Sequence, residues 1–169
     1  MKLHRIFLAV MVMTVSAANA MLPTPSDAQL PNAQVSQVNP EIDAKLHAFL
    51  VRTDAAGKET LQPLTTNDNV VHGDVIEYQG LYTNHNANRL RSMTITLSIP
   101  KEAELIGMVE PAIVRASVDG QRFVNMPIRT RVNGQIQEVP LSYYKALRWT
   151  IEDVGIGATA AVKYRVRIK

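Results

Sequence analysis

Residues 73–84 read Gly-Asp-Val-Ile-Glu-Tyr-Gln-Gly-Leu-Tyr-Thr-Asn, and this stretch limits what the chain can become. Side chains alternate across an extended strand. Ile76, Tyr78, Gly80 and Tyr82 therefore share one face, while Glu77, Gln79 and Thr83 point the other way. So apolar a face needs a covering layer, and the downstream chain supplies that layer only as more strands. Met93, Ile95, Leu97 and Ile99 alternate with Ser92, Thr94, Thr96 and Ser98 until Pro100 stops the run. Leu147, Trp149 and Ile151 alternate with Arg148 and Thr150. Val162, Tyr164, Val166 and Ile168 alternate with Lys163, Arg165, Arg167 and Lys169. No helical period of any length interrupts them.

The remaining segments fit the same plan. Residues 45–53 form a first strand with Leu46, Ala48 and Leu50 on one side, and residues 54–57 turn the chain. Residues 61–64 make a short edge piece, because Pro63 cannot donate to a ladder. Residues 67–69 form a turn. Residues 84–88 close the long strand, and their asparagines tolerate left-handed backbone. Asp119-Gly120, between residues 112–118 and 121–124, and Asn133-Gly134, between residues 128–132 and 135–139, carry the type I′ hairpin signal. Residues 155–157 turn into the last strand. Short strands separated by such turns predict a sandwich of about seven to nine strands.

Residues 1–20 stand apart from this pattern. Lys2 and Arg5 make a short basic region, an apolar run follows from Ile6 to roughly residue 17, and Ala18-Asn19-Ala20 matches a signal-peptidase site. The expectation is a signal peptide over 1–20, cleaved between Ala20 and Met21, with a periplasmic or secreted product. The apolar run is shorter than the about 20 residues a spanning helix needs, so no stable transmembrane segment is expected after cleavage. Residues 21–40 are rich in Pro, Ser, Asn, Gln and Ala and read as a flexible leader. They could instead donate a strand to a neighbouring subunit, but Leu30, Val35 and Val38 do not alternate as a donor requires. The folded domain is expected over 41–169.

Charge and cysteine narrow the chemistry. Removing Lys2 and Arg5 from 18 basic residues leaves 16 against 15 acidic ones. That near-neutral balance gives a nucleic-acid role no electrostatic support. Cysteine is absent, which excludes disulfides, thiolate metal sites and a lipidated cysteine anchor.

Three segments together resemble a bacterial conserved-repeat family, the domain of unknown function eleven. Residues 73–78 followed by Tyr82-Thr83-Asn84 resemble its "GD-x-x-x-Y … v-t-N" strand. Residues 95–100 resemble its strand ending in "l-P", with Glu104-Leu105-Ile106 as continuation. Residues 147–151, Gly157-Ala158-Thr159 and residues 162–168 resemble its "W-t-l … G … v-x-y-x-v" ending. The likeness covers about residues 44–169. The family is often tandem, whereas one copy is seen here, and it usually has Gly after the turn asparagine, where this chain has His85-Asn86. Asn86 is expected to take that backbone conformation. The resemblance implies an all-β, immunoglobulin-like antiparallel β-sandwich in an exported or cell-surface protein. It implies no catalytic residues.

The residues themselves bring no catalytic set. His47, His72 and His85 lack zinc-ligand spacing, and Asn84, Asn86 and Asn88 with His85 bring no carboxylate for calcium; no metal and no cofactor is expected. Ser92, Ser98, Ser117 and Ser142 sit in no nucleophile elbow. Glu102/Glu104 and Glu152/Asp153 read as solvated loop pairs, and Trp149 as core. Two surface features remain. Lys163, Arg165, Arg167 and Lys169 form either a basic stripe for an anionic glycan, lipid or acidic protein, or charges guarding a sheet edge; the second is preferred, since a near-neutral chain exerts little long-range pull. Tyr143 and Tyr144 form a contact patch or a half-buried loop anchor. The expected function is non-enzymatic: an exported module with a structural or protein-interaction role in the bacterial cell envelope, its partner an unidentified envelope protein or polymer. The alternatives are a subunit of a pilus-like or surface polymer and a polyanion-binding periplasmic protein.

Overall fold

The computed structural model describes the backbone of residues 15–17, and residues 41–65 and 68–169. Most of the segment read as signal peptide, its cleavage site, the leader, and Asn67 of the turn expected at 67–69 lie outside the described residues. The chain folds as an all-β, immunoglobulin-like antiparallel sandwich. Its strands are β1 (Val15–Ala17), β2 (Ile42–Thr53), β3 (Glu59–Pro63), β4 (Val75–Asn84), β5 (Leu90–Ser98), β6 (Ala103–Glu110), β7 (Arg115–Ser117), β8 (Val124–Asn125), β9 (Arg129–Val132), β10 (Gln135–Glu138), β11 (Ala146–Val154) and β12 (Thr159–Ile168). One sheet runs β1-β5-β11-β7-β8, the other β3-β2-β4-β12-β6, and β9-β10 is a separate ribbon.

The long strand lies at the centre of the second sheet. β4 pairs with β2 over Ile42↔Asn84 to Val51↔Val75, and with β12 over Thr159↔Thr83 to Arg167↔Val75. Its apolar face is the expected one: Ile76, Tyr78 and Tyr82 are buried. Val162, Tyr164 and Val166 of β12 and Leu105 of β6 extend that layer. Met93, Ile95 and Leu97 of β5, Ala116 of β7, and Leu147 and Trp149 of β11 face it from the other sheet in one core. Two polar groups tie the core down. The Tyr164 hydroxyl donates to the Ser98 carbonyl at 2.9 Å, and Trp149 Nε1 donates to the Pro111 carbonyl at 3.0 Å. Burial pushes the Tyr82 phenol up to about 12 and raises that of Tyr164 well above its usual value, the negative charges that Tyr78 and Tyr82 would carry adding to it. Gly80 is needed where it is: a Cβ there would lie 2.9 Å from the Tyr82 ring.

The expectations fail in particular places. Twelve strands occur among the described residues rather than seven to nine. β6 adds one, breaking its own alternation with a bulge at Gly107 (φ 129°) and Met108 (φ 50°). The Asn133-Gly134 hairpin is type I′ as expected, with φ of 50° and 82°, but its strands are exposed and join neither main sheet. Asp119-Gly120 is not a two-residue hairpin, since Asp119 lacks positive φ. β7 and β8 pair as Arg115↔Asn125 and Ala116↔Val124, leaving a longer loop that Asp119 organises. Its carboxylate accepts from Gln121 N, Arg122 N and Ser117 Oγ, which lowers its pKa to about 2, the Arg122 and Gln121 backbone bonds contributing most. Asn86 keeps negative φ. The buried Asn84 side chain holds that loop instead.

Candidate functional site

The terminal basic residues do not guard an edge. β12 lies between β4 and β6 in mid-sheet, so the preferred edge reading fails. Its outward cations are instead matched to acids on the neighbouring strands. Lys163 reaches Glu110 at 3.0 Å and Arg167 reaches Glu104 at 3.8 Å. Arg165 bridges Glu77 at 2.7 Å and Glu59 at 2.8 Å. Lys169, just past the strand, is exposed. Glu77 points away from the core face as expected, yet only 2% of it is exposed. It is covered because its own face carries Arg165 and Gln79, whose amide donates to it at 2.6 Å. Burial by itself raises the Glu77 pKa, but the hydrogen bonds from Gln79 and Arg165 and the charges of Arg165 and Lys163 outweigh it and hold the carboxyl below its ordinary value. Among the described residues, three of the four cations in this row, Lys163, Arg165 and Arg167, already have a carboxylate partner.

Tyr143 and Tyr144 separate. Tyr143 ends a single 3₁₀ turn, Leu141–Tyr143, and Tyr144 follows it. Tyr143 is 65% exposed, whereas Tyr144 is buried and its hydroxyl accepts from the Ile128 N–H at 2.7 Å. Tyr144 is thus an anchor for the segment entering the ribbon. His47 lies on β2, His72 in the turn before β4, and His85 just after it, so the structure does not bring them together. The paired acids are not all loop residues: Glu104 is in β6, and Glu152 and Asp153 are in β11. Asp153 pairs with Arg89 at 3.1 Å.

Two other features came into view only with the fold. The first is the sheet edges. β3 is short and exposed and carries Glu59 and Pro63. β6 is bulged, with register shifts against β12. β8 has two residues and is followed by Pro127. Each carries devices that discourage further pairing. β5 carries none over residues 92–98, which are uncharged and alternate regularly. Among the described residues its outer side meets only β1, over Val15↔Ile95 to Ala17↔Met93.

The second feature is a shallow depression on the outer face of the β5-β11-β7-β8 sheet, lined by Ile113, Arg115, Asn125, Met126, Arg148 and Thr150 among others. Arg115 of β7 and Arg148 of β11 are direct cross-strand partners. The Arg148 guanidinium stacks 3.7 Å from the centroid of the buried Phe123 ring, and its Nε donates to Thr96 Oγ1 at 3.0 Å. Arg115 donates from one terminal nitrogen to the Phe123 carbonyl. Burial and then the charge of Arg115 lower the Arg148 pKa. Sequence reading set Arg148 aside as the polar half of an alternation; its partner on β7 could not be known without the register. No protein-family model, curated protein or solved structure matches this chain.

Proposed function

We propose that this protein is an exported, non-enzymatic immunoglobulin-like module of the bacterial cell envelope that joins its assembly by accepting an extended strand from a partner protein along β5. One observation carries the reading: β5 is a long, regular edge, uncharged over residues 92–98, in a sandwich whose other edges are short, bulged or proline-marked. Without β1, an edge strand of this kind is a template for strand addition, in which main-chain bonds give affinity and alternate side chains give selectivity. The occupant is a partner segment that is uncharged and alternating. The seating of Val15–Ala17, an uncharged Val-Ser-Ala segment, antiparallel on β5 supports that chemistry. Export with loss of residues 1–20 would vacate the edge. The signal-like N-terminus and the resemblance to an exported repeat family support the envelope.

The test uses residues 21–169 and hydrogen exchange. A peptide of residues 13–19 supplied in trans should slow exchange in β5 and leave β3 and β6 unchanged. Thr94→Lys, which places a charge mid-edge without touching the inward Met93 and Ile95, should abolish the effect. A photo-crosslinker at Ser92 in intact cells should then capture one polypeptide, and Thr94→Lys should release it. Capture of a second copy of this chain would assign a homopolymer instead. β5 amides that stay unprotected with peptide, or a crosslink indifferent to Thr94→Lys, would sink the proposal.

A further inference from the structure

The two outer faces of this sandwich treat cations differently. On the β12 face Lys163, Arg165 and Arg167 each have a carboxylate within ion-pair distance. On the opposite face Arg115 and Arg148 sit directly across from one another, and neither forms an ion pair with a described residue. Like charges in cross-strand register repel and destabilise a sheet. An arginine offers five N–H donors in a rigid fork. Arg148 uses Nε toward Thr96, so both of its terminal nitrogens lack an acceptor among the described residues. Arg115 uses one terminal nitrogen toward Phe123. The stack on Phe123 and the bond to Thr96 fix the Arg148 fork in place, which reduces the entropy lost when it binds.

We propose that Arg115 and Arg148 form a binding site for an oxyanion, a carboxylate or a phosphate, carried by a ligand whose body lies against Ile113 and Met126. Paired guanidinium forks match the planar oxygens of a carboxylate and the tetrahedral oxygens of a phosphate. Asn125 and Thr150, at the same depression, supply neutral donors. Ile113 is 91% exposed, leaving an apolar surface beside the charges for the rest of the ligand. A bound anion removes the Arg–Arg repulsion, so the site gains from the strain the free protein holds.

The experiment follows the Arg115 and Arg148 Nε–H signals and the Asn125 and Thr150 amides by NMR in the purified protein. Inorganic phosphate and benzoate are titrated separately, with sodium chloride holding ionic strength constant. The expected result is a saturable shift confined to this face, with affinity in the millimolar range or tighter. Benzoate binding more tightly than phosphate, with Ile113 and Met126 methyl shifts, would assign a carboxylate ligand with an apolar body; the reverse order would assign a phosphate. Arg148→Gln should remove the shifts, and Arg115→Gln should weaken binding at least tenfold. Arg115 is the more exposed side chain, so its variant keeps the test valid if Arg148→Gln loosens the packing on Phe123. Arg167→Gln, on the opposite sheet, should change nothing. Shifts that fail to saturate, or that persist in both arginine variants, would overturn the site.

Discussion

Replacing Asn84 with Asp should destabilise the sandwich by about 3–5 kcal/mol at pH 7, and the deficit should shrink as the pH falls. Asn84 is fully buried. Its amide nitrogen donates to the carbonyls of Asn88, Val154 and Gly155 at 3.0–3.1 Å. Its amide oxygen accepts from the backbone and side-chain nitrogens of Asn86. One side chain thus ties the loop after β4 to the turn between β11 and β12. Aspartate has nearly the same shape but no N–H. It turns a donor aimed at three carbonyl oxygens into an acceptor, and each buried acceptor left unmade costs about 1–3 kcal/mol. The carbonyls are partly accessible at Asn88 and Gly155, which places the total below the simple sum.

The sign of the pH effect follows from the same geometry. Burial against carbonyl oxygens disfavours the charged form, so the folded-state pKa of the new Asp rises above its unfolded value of about 3.9. The destabilisation is then fully present above the folded pKa and fades as pH falls through the window between the two pKa values; below the unfolded one, Asp in both states is protonated and its O–H can donate. The single Trp of the chain, Trp149, reports unfolding by fluorescence in urea. An Asn84→Asp variant within 1 kcal/mol of wild type at pH 7, or one whose deficit grows on acidification, would refute the clamp.

Trp149→Ala should cost about 3–5 kcal/mol, the range for a large buried aromatic, since the ring is fully buried and its N–H holds the Pro111 carbonyl; a denaturation shift below 1 kcal/mol would show that the ring does not organise the core. Gly80→Ala should cost about 1–3 kcal/mol by overpacking against the buried Tyr82 ring and Val162, and thermal melts check it. Arg165→Gln should cost about 3 kcal/mol at pH 7, the low end for breaking a buried pair, because Glu77 would lose its cation. The folded pKa of Glu77 is depressed, so its contribution is present above the unfolded value of 4.5 and is lost as pH falls through the folded one. Wild type should therefore lose stability on acidification more steeply than Arg165→Gln, as urea titrations from pH 7 to 3 would measure.

The inward faces of β4, β5, β11 and β12 were legible because each alternates without interruption, and a period of two has one reading when one face is buried. β6 was not, because its bulge at Gly107 and Met108 shifts the phase midway. Asp119-Gly120 misled where Asn133-Gly134 did not. The dipeptide alone does not fix loop length, and Ser117 Oγ, which donates to the Asp119 carboxylate and accepts from the Gly120 N–H, stabilises a wider loop. Alternation placed Glu77 on the outer face but could not say what lies on that face. Arg165, distant in sequence, pairs with it only once β12 is in place, and Glu59 of β3 holds the other side of that guanidinium.

The same distinction decides which cations are available. A row of four alternating basic residues is conspicuous in sequence, yet the fold sets three of them beside carboxylates from β4, β6 and β3. Arg115 and Arg148 lie 33 positions apart in sequence, and nothing local marks them. Antiparallel pairing of β7 with β11 brings them together without an acid between them. Binding of an external anion depends less on how many cations a segment carries than on how many the fold leaves unmatched. On that criterion the β12 face is a structural lock, and the opposite face, whose sheet also contains β5, is the one proposed for recognition. A ligand on the arginines and a strand on β5 would then share one sheet: Thr96 of β5 holds the Arg148 fork, so strand addition that shifts β5 should also alter anion affinity.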